Sequence, residues 1–286
     1  MRPYKKKDFL GKVLGVFNDI KLFKWPLFML YRPTTFALKG SHTREVLKLV
    51  KPGDILVRSF KHYLNGYFTP GTFKHVGFYL SEVSEAHLKQ LADIQNPSQF
   101  NTGKQMVIYA VGNKIFLEDL IDFCRCDGLA IMRFPRQLKK SAGNYQIPAI
   151  LQEYFENPIK PVDAEDELKE DKEAVKLDPT TKALVKAEND IAQYIAQGKV
   201  VEFEKIFKIL YRAAIRELST PYDYDFGVDN FYTTGCTEFV YFITKSLCWN
   251  YSIEPELARV FFKKRPVITP DAIVNSDLEE VWKSDI

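Results

Sequence analysis

The sequence predicts an α+β protein in which an antiparallel sheet packs against a helix that begins at a cysteine. Short apolar runs of strand length, separated by turns that contain Gly, Pro or Asn, follow one another from residue 55 to residue 134. Later, a small and turn-prone run ends at Cys236, where an apolar stretch of helical length begins. Hydrophobic residues make up 46% of the 286 residues, so the chain can fill a large core.

Residues 1–48 are predicted to form an amphipathic, helical extension. Residues 8–23 space their apolar side chains as one face of a helix does, and an apolar patch with basic flanks follows at 25–31. Residues 1–61 carry fourteen Lys and Arg against four Asp and Glu. We interpret the extension either as a helix packed on the domain or as a peripheral membrane contact through residues 8–31, because basic residues beside Trp and Phe suit that interface.

Residues 49–286 are predicted to form the main domain, and its first part consists of strands joined by turns, loops and short helices. The predicted strands are Ile55–Arg58, His75–Leu80, Gln105–Val111, Lys114–Phe116 and Gly128–Phe134. Residues 84–104 are predicted to be helical at first and then a loop, and Leu117–Phe123 is predicted to be a short helix. The close spacing of these runs indicates one compact antiparallel sheet.

Residues 136–200 interrupt this pattern and are interpreted as a charged, partly helical insertion. Its central residues 163–173 include seven acidic residues and two lysines, a composition typical of mobile or loosely helical segments. Helices are predicted at 181–197, ending at Gly198, and at about 200–218. After the cysteine helix, residues 268–273 read as the end of a strand followed by one turn of helix.

Cys236 and His75 are the candidate nucleophile and base. A cysteine on the first turn of a helix lies near unpaired backbone N–H groups and a partial positive charge, so we expect the pKa of its thiol to fall. His75 lies on a strand, which fixes the direction of its ring, and it is the best partner for a Cys–His pair. The alternative is a buried structural cysteine and a hydrogen-bonded strand histidine, since free cysteine is commonly buried.

Four further residues complete the predicted site. A third polar group should hold the second ring nitrogen of the histidine, and Tyr109 on the next strand is the candidate. Thr234, just before the cysteine, Tyr222, in the turn-rich segment leading to its helix, and His62, in the loop before the histidine strand, are assigned to substrate binding.

Composition excludes several other classes of protein. A net charge of +3 argues against a dedicated nucleic-acid binder, and the spacing of four His and four Cys offers no zinc site, so no metal or cofactor is predicted. So few cysteines in a long chain favour a reducing, cytoplasmic compartment. No apolar run approaches the roughly 20 residues of a membrane span, and the basic start lacks the features of a cleaved signal peptide, so we expect the whole chain to be the mature protein.

Several short motifs occur in an order that resembles a known family. They are Pro52–Leu56, His75–Tyr79, Pro221–Asp223 with Phe226, and Cys236–Val240. Together they resemble the circularly permuted NlpC/P60 papain-like group, with its YiiX-like branch, a relative of the lecithin retinol acyltransferase type, as the nearest likeness. The matched segments cover about residues 50–135 and 205–275. The family places its histidine before its cysteine, as here, but its third polar residue is often Glu or His where this chain has Tyr109.

The resemblance implies a circularly permuted papain-like α+β fold and a cysteine hydrolase or acyltransferase. We therefore expect an amidase- or peptidase-like enzyme that cleaves an amide or ester bond of a small peptide, an amino-acid amide or a lipid. The Tyr109 departure supports an alternative: a catalytically weak or inactive ligand-binding module with the same groove. A third alternative is a membrane-surface scaffold that uses residues 8–31.

Overall fold

A six-stranded antiparallel sheet forms the centre of the computed structural model, which describes residues 20–24, 27–31, 36–62, 71–111, 114–140, 190–191, 193–218, 235–254, 256–260 and 263–285. The strands are β1 (Ile20–Lys24), β2 (Leu27–Tyr31), β3 (Ile55–Ser59), β4 (His75–Val83), β5 (Gly103–Val111), β6 (Lys114–Asp119), β7 (Gly128–Arg133), β8 (Gln137–Leu138), β9 (Val201–Glu202), β10 (Glu256–Val260), β11 (Lys263–Val267) and β12 (Glu279–Lys283). The central sheet has the order β12-β7-β3-β4-β5-β6, and every neighbouring pair is antiparallel.

Helices cover both faces of this sheet. They are α1 (Gly40–Leu49), α2 (Glu85–Ala92), α3 (Leu120–Phe123), α4 (Phe203–Glu217), α5 (Gly235–Cys248) and α6 (Pro270–Val274), with 3-10 turns at Pro97–Gln99 and Trp249–Tyr251. The architecture is therefore α+β with an antiparallel sheet, as predicted.

Alternation along the strands creates two separate apolar cores. On β4, Val76 and Phe78 point into the core that holds the apolar side chains of α4 and α5. Tyr79 points to the opposite face and packs with the core that includes α1 and α3. Successive side chains of a strand point to opposite faces, so alternate residues of β3 and β4 belong to different cores.

A buried ion pair joins the start of β3 to the end of β7. Asp54 is fully buried and accepts hydrogen bonds from Arg133 Nε and Nη2, both at 2.8 Å. Its Oδ2 also accepts from the backbone N–H of Lys51 at 2.7 Å, which closes the turn before the strand. Asp54 is thus a structural residue.

The predicted strands of the sheet are confirmed, with small shifts at their ends. The helix predicted at 117–123 is too long, because residues 117–119 continue β6 and only α3 is helical. Asp119 fixes this boundary: its side chain accepts a hydrogen bond from the N–H of Ile121 at 2.8 Å and caps the helix. Strand β12, which was not predicted, completes the other edge of the sheet.

The N-terminal helix prediction is wrong where the structure describes it. Residues 20–24 pair with residues 27–31 as an antiparallel hairpin, with Ile20 opposite Tyr31. A short, mostly apolar run such as Ile20–Phe23 is compatible with a helix or a strand, and here the pairing with residues 27–31 decides between them. Residues 8–19 lie outside the described residues, and α1 supplies the helical part of the extension that the structure describes.

The two ends of the predicted insertion meet. Residues of β8 pair with those of β9, Leu138 opposite Val201, although more than sixty positions separate them in sequence. Residues 190–191 and 193–196 are helical, and Gly198 follows with φ +77°, as expected for a helix stop. Residues 141–189, including the acidic run, lie outside the described residues.

Candidate active site

Cys236 is the second residue of α5 and is buried. The apolar face of α5 holds the helix start in place, since Phe239, Val240 and Ile243 all pack into the core on one face of the sheet. The predicted position of the cysteine at a helix start is confirmed.

The Cys236 thiol lies against the main chain on both sides of His75. Its Sγ is 3.9 Å from the carbonyl oxygen of Lys74 and also receives a hydrogen bond from the backbone N–H of Val76. The described pairing of β4 with β5 begins at Phe78, opposite Ile108, and so leaves this N–H to the sulfur. The cysteine therefore enters the sheet where β4 and β5 separate.

The His75 side chain lies on the face of the sheet that carries Arg58, opposite the face that α5 packs against, so the thiol reaches the main chain beside His75 at the gap between β4 and β5. The two residues are direct partners across β3 and β4, so their side chains share a face. The ring of His75 meets Phe60 edge-on, with 5.6 Å between centroids. Its Nδ1 is buried and has no hydrogen-bond partner among the described residues, which leaves one ring nitrogen available to accept or donate a proton.

Both groups of the candidate pair are neutral at rest. Burial is the main reason that the pKa of His75 falls from 6.5 to about 3, and the charges of Arg58 and Lys74 lower it further. Burial raises the pKa of the Cys236 thiol, and the hydrogen bonds from Val76 and Thr237 offset this only in part. The expected fall in the thiol pKa is wrong, because desolvation outweighs the effect of the helix start.

Tyr109 does not hold His75 as expected. Its ring stacks on Phe116 and meets Phe123 edge-on, at centroid distances of 5.8 Å and 5.5 Å. Its hydroxyl hydrogen-bonds with Glu118 and Arg58, and burial raises its pKa to about 12. The ring is fixed by its aromatic neighbours in a position that turns the hydroxyl toward β6.

Arg58 is the residue of this site that sequence reasoning missed. It is buried, with its guanidinium carbon 4.1 Å from the ring centroid of Phe123 and 4.9 Å from that of Tyr109. Its Nη1 donates to the carbonyl oxygen of Phe123 at 3.2 Å and lies 3.4 Å from Oε2 of Glu118. One signal was present in the sequence: a cation inside an otherwise apolar strand, Ile-Leu-Val-Arg.

Asp271, at the start of α6, holds the segment that leads into β4. Its carboxylate accepts hydrogen bonds from the backbone N–H groups of Thr72 at 2.6 Å and Phe73 at 3.0 Å. Gly71 has φ +90°, and a Cβ there would collide with the Asp271 carboxylate. This contact fixes the path of the chain just before Lys74 and His75.

The described structure shows no hydrogen bond between the Cys236 thiol and the ring of His75. It does not bring the remaining predicted site residues to the thiol either. His62 is exposed in a left-handed turn with φ +65°, while Tyr222 and Thr234 lie outside the described residues. Burial raises the pKa of each of the other three cysteines, Cys124, Cys126 and Cys248, to about 12. Burial raises the pKa of Cys236 as well, so its position at the start of α5 and its contact with the main chain beside His75 distinguish it, and its pKa does not.

The described part of the chain offers neither a cluster of metal ligands nor a membrane-spanning helix. No group of three or more His, Cys, Asp or Glu side chains within these ranges could hold a metal ion. Among the helices of the same ranges, none is long and apolar enough to cross a bilayer.

Comparison of the chain with protein-family models, curated proteins and solved structures finds no match. The likeness to the permuted papain-like group therefore depends on the motifs themselves.

Proposed function

We propose that this chain is a cysteine hydrolase of the circularly permuted NlpC/P60 papain-like type, in which Cys236 attacks an amide or ester carbonyl and His75 accepts its proton. The observation that carries the proposal is the position of the thiol, whose Sγ contacts the carbonyl oxygen of Lys74 and the N–H of Val76, the groups that flank His75. The buried, unpartnered Nδ1 of His75 supports it further, because a base needs an unfilled lone pair.

The reaction would start from a neutral pair. As the bond between Sγ and the carbonyl carbon forms, His75 takes the thiol proton and the carbonyl oxygen becomes an oxyanion. An α-helix leaves the backbone N–H groups of its first turn without intrahelical acceptors, so those at the start of α5 are suited to stabilise that oxyanion. His75 then gives its proton to the leaving amine or alcohol, and a thioester on Cys236 remains.

Water completes the cycle in the same way. His75 removes a proton from the water that attacks the thioester, and the carbon–sulfur bond breaks. The proton returns to the thiolate, the free acid leaves, and both side chains are neutral again. An alcohol or amine in place of water would make the same site an acyltransferase.

Acylation of Cys236 tests the proposal directly. The purified chain is incubated with p-nitrophenyl acetate, with p-nitrophenyl palmitate in mixed micelles and with alanine p-nitroanilide. Covalent thioester is followed by intact mass and the released nitrophenol or nitroaniline by absorbance. We expect acylation at Cys236 with at least one probe, its loss in Cys236→Ala, and a decrease of about 100-fold or more in His75→Ala.

The control variant is Cys248→Ala, which removes the buried cysteine at the other end of α5 and should acylate as the unaltered chain does. Acylation that persists at full rate in His75→Ala, or that occurs on other cysteines, contradicts the proposal. The probe that reacts fastest distinguishes a lipid ester from a small amide as the substrate class.

A ligand-binding module without catalysis is the second candidate. It is favoured by the neutral resting state of the pair and by the Tyr109 hydroxyl, which bonds with Glu118 and Arg58 and leaves His75 without an orienting partner. Absence of acylation by all three probes, with alkylation of Cys236 no faster than that of Cys248, would support this candidate.

A further inference from the structure

Arg58 places a permanent positive charge beside His75. Arg58 and His75 are directly opposite each other on β3 and β4. Residues in this arrangement have Cβ atoms about 5 Å apart. Phe60 contacts both side chains, since its ring centroid is 5.3 Å from the guanidinium carbon and 5.6 Å from the ring of His75. The cation and the imidazole therefore share one small environment.

The position of this cation is fixed by its surroundings. The guanidinium lies over the rings of Phe123 and Tyr109, and Nη1 is held by a backbone carbonyl and by Glu118. A guanidinium stays charged when buried, unlike an ammonium group. Its Nε is buried and has no hydrogen-bond partner among the described residues, so the contacts of Glu118 do not use all of its donors.

We propose that Arg58 is a positioning residue of this site, a fixed cation that holds His75 as the neutral imidazole in the resting site and that stabilises negative charge on the Cys236 sulfur. This inference deepens the proposed function and rests on it. A nearby positive charge disfavours an imidazolium and favours a thiolate. Arg58 therefore keeps the base unprotonated at rest and makes the thiol proton easier to remove, while it also makes His75 a weaker base. Arg58 lowers the pKa of both groups.

Other charged and titratable groups face this site from each neighbouring element. They are Lys74 just before β4, Tyr109 on β5, Glu118 on β6, Cys124 and Cys126 after α3, Cys236 on α5 and Asp271 on α6, which interacts with Lys74. Lys74 acts on His75 in the same direction as Arg58, and burial acts more strongly than either. Removal of Arg58 should therefore shift the titration of His75 upward but leave it below that of a solvent-exposed histidine.

Alkylation of Cys236 by iodoacetamide measures the thiolate and needs no substrate. Arg58→Met keeps a long apolar side chain against the aromatic rings but removes the charge, so we expect alkylation at pH 8 to slow about tenfold. Arg58→Lys keeps the charge and should restore most of the rate. Glu118→Gln removes the opposing charge, keeps Arg58 and should raise the rate several-fold.

The titration of His75, followed by the NMR signal of its ring proton, provides a second measurement. Its midpoint should rise by about one pH unit in Arg58→Met and return in Arg58→Lys. Unchanged alkylation and an unchanged midpoint in a folded Arg58→Met overturn the inference. If that variant does not fold, equal alkylation rates in Glu118→Gln and the unaltered chain overturn it instead. Failure of the proposed function is measured separately: acylation of Cys236 is then absent or does not depend on His75, and neither outcome sets the alkylation rates of the Arg58 and Glu118 variants.

Discussion

Gly77 lies two residues after His75 on β4, and its missing side chain makes room for two neighbours. A Cβ at this position would lie 2.6 Å from Cγ1 of Val107 and 2.8 Å from Cε2 of Phe123. Both neighbours are fully buried, so neither can move without disturbing the core. Gly77→Ala therefore overpacks the core next to His75, between Val107 and Phe123.

The decrease in the free energy of unfolding follows from this geometry. One additional methyl in a well-packed core destabilises a protein by about 2 kcal/mol, because side chains and backbone must shift to admit it. For a chain of this size that corresponds to a decrease of about 4–8 °C in the melting temperature. The ring of Phe123 also supports the guanidinium of Arg58 at 4.1 Å, so its displacement should slow alkylation of Cys236 as well.

Thermal unfolding followed by circular dichroism measures this cost. The matched control is Gly40→Ala, since a Cβ at the first residue of α1 would meet no atom within 4 Å. Alanine is a better helix former than glycine, so this control should be neutral or slightly stabilising. A Gly77→Ala melting temperature within about 1 °C of the control would refute the reasoning about overpacking.

Two further predictions concern the core and the pH dependence of the fold. Arg133→Met leaves the Asp54 carboxylate buried without its main partner and should destabilise by about 3–5 kcal/mol in urea unfolding, whereas loss of the exposed pair in the control Lys283→Met should cost under about 1 kcal/mol. An equal cost for both variants would contradict the role of the buried pair. The pKa of His75 falls from 6.5 to about 3 on folding, so the unfolded chain binds more protons between these values and stability should decrease as pH falls through that window. His75→Gln should reduce this dependence in urea titrations at pH 4 and pH 7, and an unchanged dependence would count against the neutral buried histidine.

The main elements around the site could be predicted because each has a local signal. A turn-prone run before an apolar helix placed Cys236 at a helix start, and a short strand-like run placed His75 on β4. The antiparallel sheet followed from the spacing of such runs. These features depend on period and turn chemistry, which lie within a few residues of sequence.

The electrostatics of the site could not be predicted in the same way. The pKa of Cys236 depends on how deeply α5 packs onto the sheet, and the role of Arg58 depends on its register with His75 across two strands. Neither the depth of this packing nor the register can be predicted from sequence before the pairing of the strands is known. The hydroxyl of Tyr109 was assigned to His75 from strand order alone, but its neighbours Phe116 and Phe123 decide its direction.

The order in which the chain is synthesised has a consequence for this site. The strand that carries His75 emerges well before α5, because 161 positions separate His75 from Cys236 (236 − 75). Strand β12, which lies at the edge of the same sheet, is later still. Contacts between such distant segments form slowly, since a long loop must close before they bring any stability. A nascent chain on the ribosome therefore carries the imidazole of His75 without the thiol of Cys236, and the proposed pair is complete only when most of the polypeptide has been made.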